Sequence, residues 1–231
     1  MKQLVSTAII LSRIDYGEAD RILTLLTPEY GKLHLLARGV RRIKSKLAGG
    51  IELFSVSTIT YIQGKSELGT LISTRLIKHY GTIVADLDRT MLGYELIKRL
   101  NKITEDQAEA EYFTLLEQAF EALDDPAVSL DLIRLWFDSQ LIRLGGHGPN
   151  LQTDATGQKL DAAKRYVFDF DAVCFTPAPG QGKFDANHIK FLRLSFGGHP
   201  PKTLKQVQGS AELCEQALPL VTHLFRTYVE R

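Results

Sequence analysis

The chain is poor in cysteine: it has two, Cys174 and Cys214, among 231 residues. They form no closely spaced pair, so the sequence offers neither a disulfide framework nor the cysteine pairs usual in structural zinc sites. Long apolar runs are also missing, and the short apolar stretch near the start alternates like a strand. We therefore expect a protein of the reducing cytoplasm that has no membrane span.

The sequence also lacks the signatures of common catalytic sites. Residues 64–66 resemble the end of a phosphate-binding P-loop, but Ile59 stands where that pattern requires glycine. The six histidines are scattered. His147, Asp154 and Cys174 could in principle meet at a metal, but structural zinc takes four ligands, usually with a close cysteine pair. We therefore predict no catalytic residues, no metal and no cofactor, and a protein that is not an enzyme.

Acidic residues are absent from residues 30–51, and this stretch holds the densest group of cations in the chain. Residues 38–46, here named the cationic loop, contain Arg38, Arg41, Arg42, Lys44 and Lys46. Each phosphate that such a group neutralises releases a condensed counterion, so nucleic acid can bind without any base being read. We predict these five side chains as phosphate contacts; a merely solvated loop is the alternative.

The net charge of +1 hides an uneven distribution. Residues 1–80 hold 12 Lys/Arg and 6 Asp/Glu, a net of +6, whereas residues 81–231 hold 16 and 21, a net of −5. Such segregation favours a nucleic-acid-binding face in the first part and a different task in the second. A chance excess of surface charge is the alternative.

The periodicity predicts an α+β, multi-domain chain. Five strand-like runs occur in residues 1–80, at 5–13, 21–27, 32–38, 51–62 and 68–77. Five strands in about eighty residues favour a closed barrel, because closure removes exposed edges, and the five-stranded OB barrel often binds oligonucleotides. Later segments show helical spacing of apolar residues. The predicted parts are an OB-fold DNA-binding domain at 1–80, a helical bundle at 81–146, an insertion at 147–182, and C-terminal helices at 183–231 that complete the helical domain.

Other barrel residues are secondary candidates. Arg21 and Lys32 could add phosphate contacts, although an ordinary surface ion pair explains each of them equally well. Tyr16, Tyr30 and Tyr61 could stack on bases, although barrel tyrosines more often pack with only the hydroxyl at the surface.

A second predicted surface lies on the third helix of the helical part. Arg134 and Arg143 flank Trp136 and Phe137. A hydrophobic groove edged by arginine would suit a partner tail that ends in acidic residues, an aromatic ring and a carboxylate. The alternative is that the two aromatic residues belong to the core and the arginines are solvated.

The order of motifs across residues 7–54 is specific. The motifs are Thr-Ala-Ile-Ile-Leu at 7–11, Asp-Tyr-Gly-Glu-Ala-Asp-Arg-Ile-Leu at 15–23, Ala-Arg-Gly-Val-Arg-Arg at 37–42 and Ser-Lys-Leu-Ala-Gly at 45–49. Together with Gly-Gly-His-Gly-Pro-Asn-Leu at 145–151, they resemble RecO, a family of bacterial DNA repair and recombination mediators. The resemblance is strongest at the N-terminus and weak after residue 160.

This resemblance implies an OB barrel followed by a helical domain that carries a small zinc-finger-like insertion. Many members have four cysteines in the insertion. Here Asp154, Ala155, Thr156 and Gly157 stand where the first cysteine pair would be. The resemblance therefore implies an insertion at 147–182 that holds no metal.

The resemblance also implies a non-enzymatic activity. Members bind single- and double-stranded DNA, anneal complementary strands, engage the acidic C-terminal tail of single-strand binding protein, and work with RecR to load RecA recombinase. A cytoplasmic, nucleoid-associated location follows from that role. The alternative is an OB-fold protein-interaction scaffold or an RNA-binding module, which the net −5 of residues 81–231 favours.

Overall fold

The computed structural model describes residues 2–64, 66–104 and 109–230. The chain divides into two compact units, with the boundary between Pro126 and Ala127. Whether the four segments predicted from the sequence are separate domains stays a prediction. Within the described ranges, the helices lack the combination of length and apolar character needed to cross a bilayer.

The N-terminal unit begins with a five-stranded barrel. Its strands are β1 (Gln3–Tyr16), β2 (Asp20–Thr27), β3 (Gly31–Ala37), β4 (Ser55–Ile62) and β5 (Leu68–His79). Their order is β1-β2-β3-β5-β4, and pairing of β1 with β4 closes the sheet. The β3–β5 pair is parallel and the others are antiparallel. This confirms the predicted OB-type barrel and the α+β class.

The barrel closes around side chains that alternate along each strand. Leu23 and Leu25 of β2 point inward together with Leu35 of β3 and Ile59 of β4, and all four are buried. Period-two alternation puts such residues on one face of the sheet. The opposite phase of β2 is partly buried as well, since Leu26 is 0% exposed.

Three helices complete the N-terminal unit: α1 (Gly81–Ala85), α2 (Leu87–Ile103) and α3 (Ala110–Leu123). The buried Arg89 joins α2 to the end of α3, because its guanidinium donates to the carbonyls of Leu123 at 2.8 Å and Pro126 at 3.0 Å. Gly93 lets α2 approach Phe54 closely: a β-carbon there would lie 2.6 Å from the phenyl ring.

The C-terminal unit combines helices with a small sheet. The helices are α4 (Leu130–Leu144), α5 (Ala186–Phe196), α6 (Pro201–Lys205) and α7 (Ser210–Tyr228). The strands are β6 (Asn150–Asp154), β7 (Tyr166–Asp169) and β8 (Cys174–Pro177), in the order β6-β8-β7. Helix α4 packs against α5 and α7, so it lies at the centre of this unit.

Candidate nucleic-acid interface

The cationic loop is anchored to the barrel at both ends. Near its start, Val40 is buried in the barrel core, and just beyond its end Leu47 packs against the same core. Ile51, after the short 3₁₀ turn at Ala48–Gly50, is buried there too. Apolar burial therefore fixes where the loop leaves the barrel and where it returns, while the residues between project outward.

Backbone contacts hold the start of the loop against the β1–β2 turn. Gly39 has φ +64°, a conformation that glycine adopts readily, and its N–H donates to Oδ1 of Asp20 at 2.7 Å. The N–H of Arg41 donates to the carbonyl of Ala19 at 2.9 Å, and that of Arg42 to the carbonyl of Gly39 at 3.1 Å. The first turn of the loop is therefore held in one conformation.

One carboxylate binds two of the predicted cations. Asp15 accepts from Nε of Arg21 at 2.8 Å, and its other oxygen lies 3.5 Å from Nε of Arg41. The pKa of Asp15 is lowered mainly by the hydrogen bond from Arg21, against a smaller opposing effect of desolvation and with further help from the charge of Arg41. Both guanidinium groups are thus partly compensated, and Arg41 is oriented along the β1–β2 turn.

The other four cations of the loop are exposed and uncompensated. The side chains of Arg38, Arg42, Lys44 and Lys46 form no ion pair with any residue that the structure describes. Mutual repulsion among four like charges on one short loop favours binding of a polyanion, which would relieve it. These are the side chains best placed to contact phosphates.

Ile43 is a candidate that the sequence interpretation missed. It lies between Arg42 and Lys44 and is 104% exposed, the highest value among the large apolar residues of the described chain. An aliphatic side chain held in water among cations is suited to contact bases once the phosphates are bound. The available signal was a lone isoleucine inside a charged run, with no apolar neighbour at strand spacing, since Arg41 and Ser45 stand two residues away on either side.

Lys32 lies away from this cluster. Its ammonium donates to the carbonyls of Asn101 at 2.9 Å and Thr104 at 2.6 Å, at the C-terminal end of α2. A cation at this position satisfies carbonyls that have no partner within the helix and interacts favourably with the helix dipole. The geometry supports a structural role for Lys32.

The three tyrosines differ in what they can offer to a base. Tyr16 is 54% exposed and Tyr30 is 42% exposed. Tyr61 is 1% exposed and meets the ring of Tyr30 edge-on at 6.1 Å between centroids. Burial raises the pKa of Tyr61 to about 12, with smaller contributions from Tyr30 and Glu29. The stacking prediction is therefore corrected for Tyr61, because no face of its ring is accessible.

The predicted groove on the third helix, now α4, does not form. Trp136 and Phe137 are 1% and 0% exposed, and the indole donates to the carbonyl of His199 at 2.6 Å. Nη1 of Arg134 lies 3.5 Å from Oδ1 of Asp131, and Nε of Arg143 donates to Oε1 of Gln140 at 2.9 Å. The two aromatic residues are core residues, which corrects the prediction of an apolar groove at this place.

The insertion is organised by a carboxylate where the resemblance places cysteines. Oδ1 of Asp154 accepts from the backbone and hydroxyl of Thr156 at 2.9 and 2.7 Å and from the backbone of Gln158 at 3.1 Å. These bonds close the turn that follows β6. In the described part of the chain, no group of three or more His, Cys, Asp or Glu side chains is placed to hold a metal ion.

The closed five-stranded barrel, with an anchored cationic loop on its surface, defines the chain as an OB-fold protein. It belongs to the RecO family: residues 1–80 match the family model for the N-terminal part of recombination protein O, and residues 85–231 match the model for its C-terminal part.

Relatives with the name DNA repair protein RecO align over much of the chain. The protein of Bacillus pumilus is 29% identical over 228 residues, which cover 96% of this chain and 88% of that protein. The protein of Halalkalibacterium halodurans is 28% identical over 193 residues (81% and 75%). That of Dehalococcoides mccartyi is 33% identical over 161 residues (69% and 63%).

Proposed function

We propose that the protein is a recombination mediator that binds single- and double-stranded DNA and anneals complementary strands, without catalysing a reaction. The observation that carries this proposal is the group of four exposed, uncompensated cations on the anchored loop, Arg38, Arg42, Lys44 and Lys46. Family membership supports DNA repair as the setting.

Annealing follows from electrostatics. Two single strands repel each other over a Debye length of about 10 Å at 0.1 M salt. A loop that carries several cations within that distance neutralises phosphates of both strands and so lowers the repulsion that opposes pairing. Because the energy comes from counterion release, the process needs no nucleotide hydrolysis.

The proposed role includes protein partners. We infer that the protein works with RecR, that it engages the acidic C-terminal tail of single-strand binding protein, and that it thereby helps to load RecA. The burial of Trp136 and Phe137 leaves the exposed Arg143 and the half-exposed Arg134 as the accessible members of the predicted tail site.

Charge reversal on the loop tests the proposal. We expect an Arg41→Glu, Arg42→Glu variant to bind a fluorescent single strand more weakly than the wild type, with a smaller dependence of affinity on salt. It should also anneal complementary oligonucleotides more slowly, both alone and in the presence of single-strand binding protein. An unchanged affinity and salt dependence would remove the loop from the mechanism, and annealing activity absent from the wild type would favour the scaffold alternative.

A further inference from the structure

The outer face of α2 leaves large apolar side chains in water. Leu87, Met91 and Tyr94 are 76%, 61% and 47% exposed. Their spacing of four and three residues places them on one stripe of the helix, named here the α2 stripe. Among the helices of the described ranges, the other large exposed apolar residue is Val84 of the short α1. The DNA-binding role proposed above makes no use of the α2 stripe.

The opposite face of α2 is packed, so the stripe is held rigidly. Leu92, Leu96 and Leu100 are buried there. The ring of Tyr94 meets that of Phe54 edge-on, with 5.2 Å between the centroids, although nearly half of the tyrosine is exposed. A side chain that is already held in place loses little conformational entropy when a partner covers it.

The two ends of the α2 stripe carry opposite charges. Asp88 lies in the first turn of the helix and Lys98 lies one turn beyond Tyr94, and both side chains are exposed. Neither of them forms an ion pair with a residue in the part of the chain that the structure describes. The acid between them, Glu95, is paired with Arg99 of the same helix.

This pattern is complementary to itself when a second copy of α2 lies antiparallel. A helix rises about 1.5 Å per residue, so Asp88 and Lys98 are about 15 Å apart along the axis. A two-fold axis at the height of Gly93, midway between them, places each Asp88 level with Lys98 of the other copy. The same axis brings Met91 of one copy within about 1.5 Å in height of Tyr94 of the other. The dipoles of antiparallel helices also attract each other.

The charges favour a second copy over a partner whose charge has one sign. An acidic or a basic segment that is attracted to one end of the stripe would be repelled at the other end. Residues 1–126, the N-terminal unit, hold 16 Lys/Arg and 17 Asp/Glu, a net of −1. Two such units can therefore approach each other without strong overall repulsion.

We propose that the protein self-associates through the α2 stripe, as a two-fold dimer of antiparallel α2 helices. Met91 and Tyr94 of both copies form the apolar centre, and Asp88 of each copy pairs with Lys98 of the other. One helix pair buries less than the about 1,200–2,000 Å² of stable complexes, so the dimer forms at micromolar protein concentrations. Resting on the proposed function, each copy also brings its own cationic loop, so that one dimer can hold two strands.

Charge exchange on the full chain tests the contact. Asp88→Lys and Lys98→Asp should each weaken self-association at least tenfold in sedimentation equilibrium, because each variant places like charges opposite each other at both ends of the interface. An equimolar mixture of the two variants should regain the wild-type association, since every contact between them again joins opposite charges. A wild-type chain that stays monomeric at 500 µM, or a mixture that associates no better than its components, would overturn the proposal.

Met91→Asp tests the apolar centre, and Ile14→Asp is the matched control, because Ile14 of β1 has nearly the same exposure, 62%. Met91→Asp should weaken self-association about a hundredfold, since each dimer loses the methionine twice, whereas the control should associate like the wild type. Urea titration should show wild-type stability for the exposed Met91 site. If Met91→Asp associates like the wild type, another surface makes the contact and the proposal is wrong.

DNA binding distinguishes failure of the dimer from failure of the proposed function. At nanomolar protein, Met91→Asp should bind labelled oligothymidine with wild-type affinity, whereas at micromolar protein it should anneal complementary oligonucleotides more slowly than the wild type. Weaker strand binding at nanomolar protein would mean that α2 contacts DNA, which would overturn the assignment of this stripe to a second copy. A wild type that self-associates but does not anneal would refute the proposed function and support the dimer.

Discussion

Removing two cations from the loop should change the salt dependence of DNA binding by a predictable amount. The variant is Arg42→Ala, Lys44→Ala, which deletes two of the four uncompensated loop charges and leaves the pairing of Arg41 with Asp15 in place. Both side chains are exposed, so the barrel should keep its stability.

The size of the effect follows from the number of phosphates that the loop neutralises. For single strands, each neutralised phosphate contributes about −0.7 to the slope of log K against log salt concentration. Four contacts predict a slope of about −2.8, so affinity should fall about fiftyfold between 50 and 200 mM salt. Two contacts predict about −1.4, and a fall of about sevenfold over the same range.

The assay is a fluorescence-anisotropy titration of labelled oligothymidine at four salt concentrations. A matched control removes the same total charge elsewhere, as Lys98→Ala, Lys202→Ala; these exposed side chains lie on α2 and α6. We expect the control to keep the wild-type slope. If the loop variant keeps it too, local phosphate contact by the loop is refuted. If both variants lose slope equally, net charge and not local contact governs binding.

Three other substitutions test the remaining assignments. Lys32→Met should lower the free energy of unfolding by about 2 kcal/mol, because the carbonyls at the end of α2, among them that of Thr104, lose their donor; urea titration measures this. Gly93→Ala should cost about 1–3 kcal/mol by the same measurement, because its β-carbon would collide with Phe54. Ile43→Ser should weaken single-strand binding by about 1 kcal/mol at every salt concentration and leave the salt slope unchanged.

Each of these predictions has its own contrary outcome. If the Lys32→Met variant has normal stability but a smaller dependence of DNA affinity on salt, Lys32 contacts phosphate after all. Gly49→Ala is the control for Gly93→Ala, since nothing lies within 4 Å of a β-carbon there; equal losses would mean that contact with Phe54 is not the cause. A changed slope in Ile43→Ser would mean that the loop refolds, so that its effect is not apolar contact.

The barrel was predictable because its signals are local. Alternation identifies each strand, and five strands in a short segment favour closure. Several predicted strand ends differ from the structure by about one to three residues, and the largest error is at the fourth strand: residues 51–54 belong to no strand, and β4 begins at Ser55. Ile51 and Phe54 are buried nonetheless, and Phe54 has φ +56°. An irregular turn that places apolar residues in the core has the same composition as a buried strand. Composition alone therefore could not distinguish this turn from a strand.

The location of the candidate site could be predicted from the sequence, but the ion pairs within it could not. The cations of the loop stand out in the sequence, whereas the carboxylate of Asp15 reaches Arg41 only because the β1–β2 turn lies against the loop. The burial of Tyr61 could have been predicted, since it lies two residues after the buried Ile59 and therefore on the same face of the strand. For Trp136 the helical period could not separate a core face from an exposed face, because α4 is buried on nearly every side between residues 135 and 142.

The position of the acidic residues explains why local contact should outweigh net charge. Residues 81–126 hold 4 Lys/Arg and 11 Asp/Glu, a net of −7, and they belong to the same compact unit as residues 1–80, with a net of +6. That unit therefore carries −1 in all, and beyond a Debye length of about 8 Å at physiological salt it attracts DNA little. Attraction must come from within that distance, where two acids that flank the β1–β2 turn have separate tasks: Asp20 fixes the backbone of Gly39, and Asp15 compensates Arg41. The cations that lack such partners are the ones left to meet phosphate, and for this reason a change in their number should appear in the salt slope.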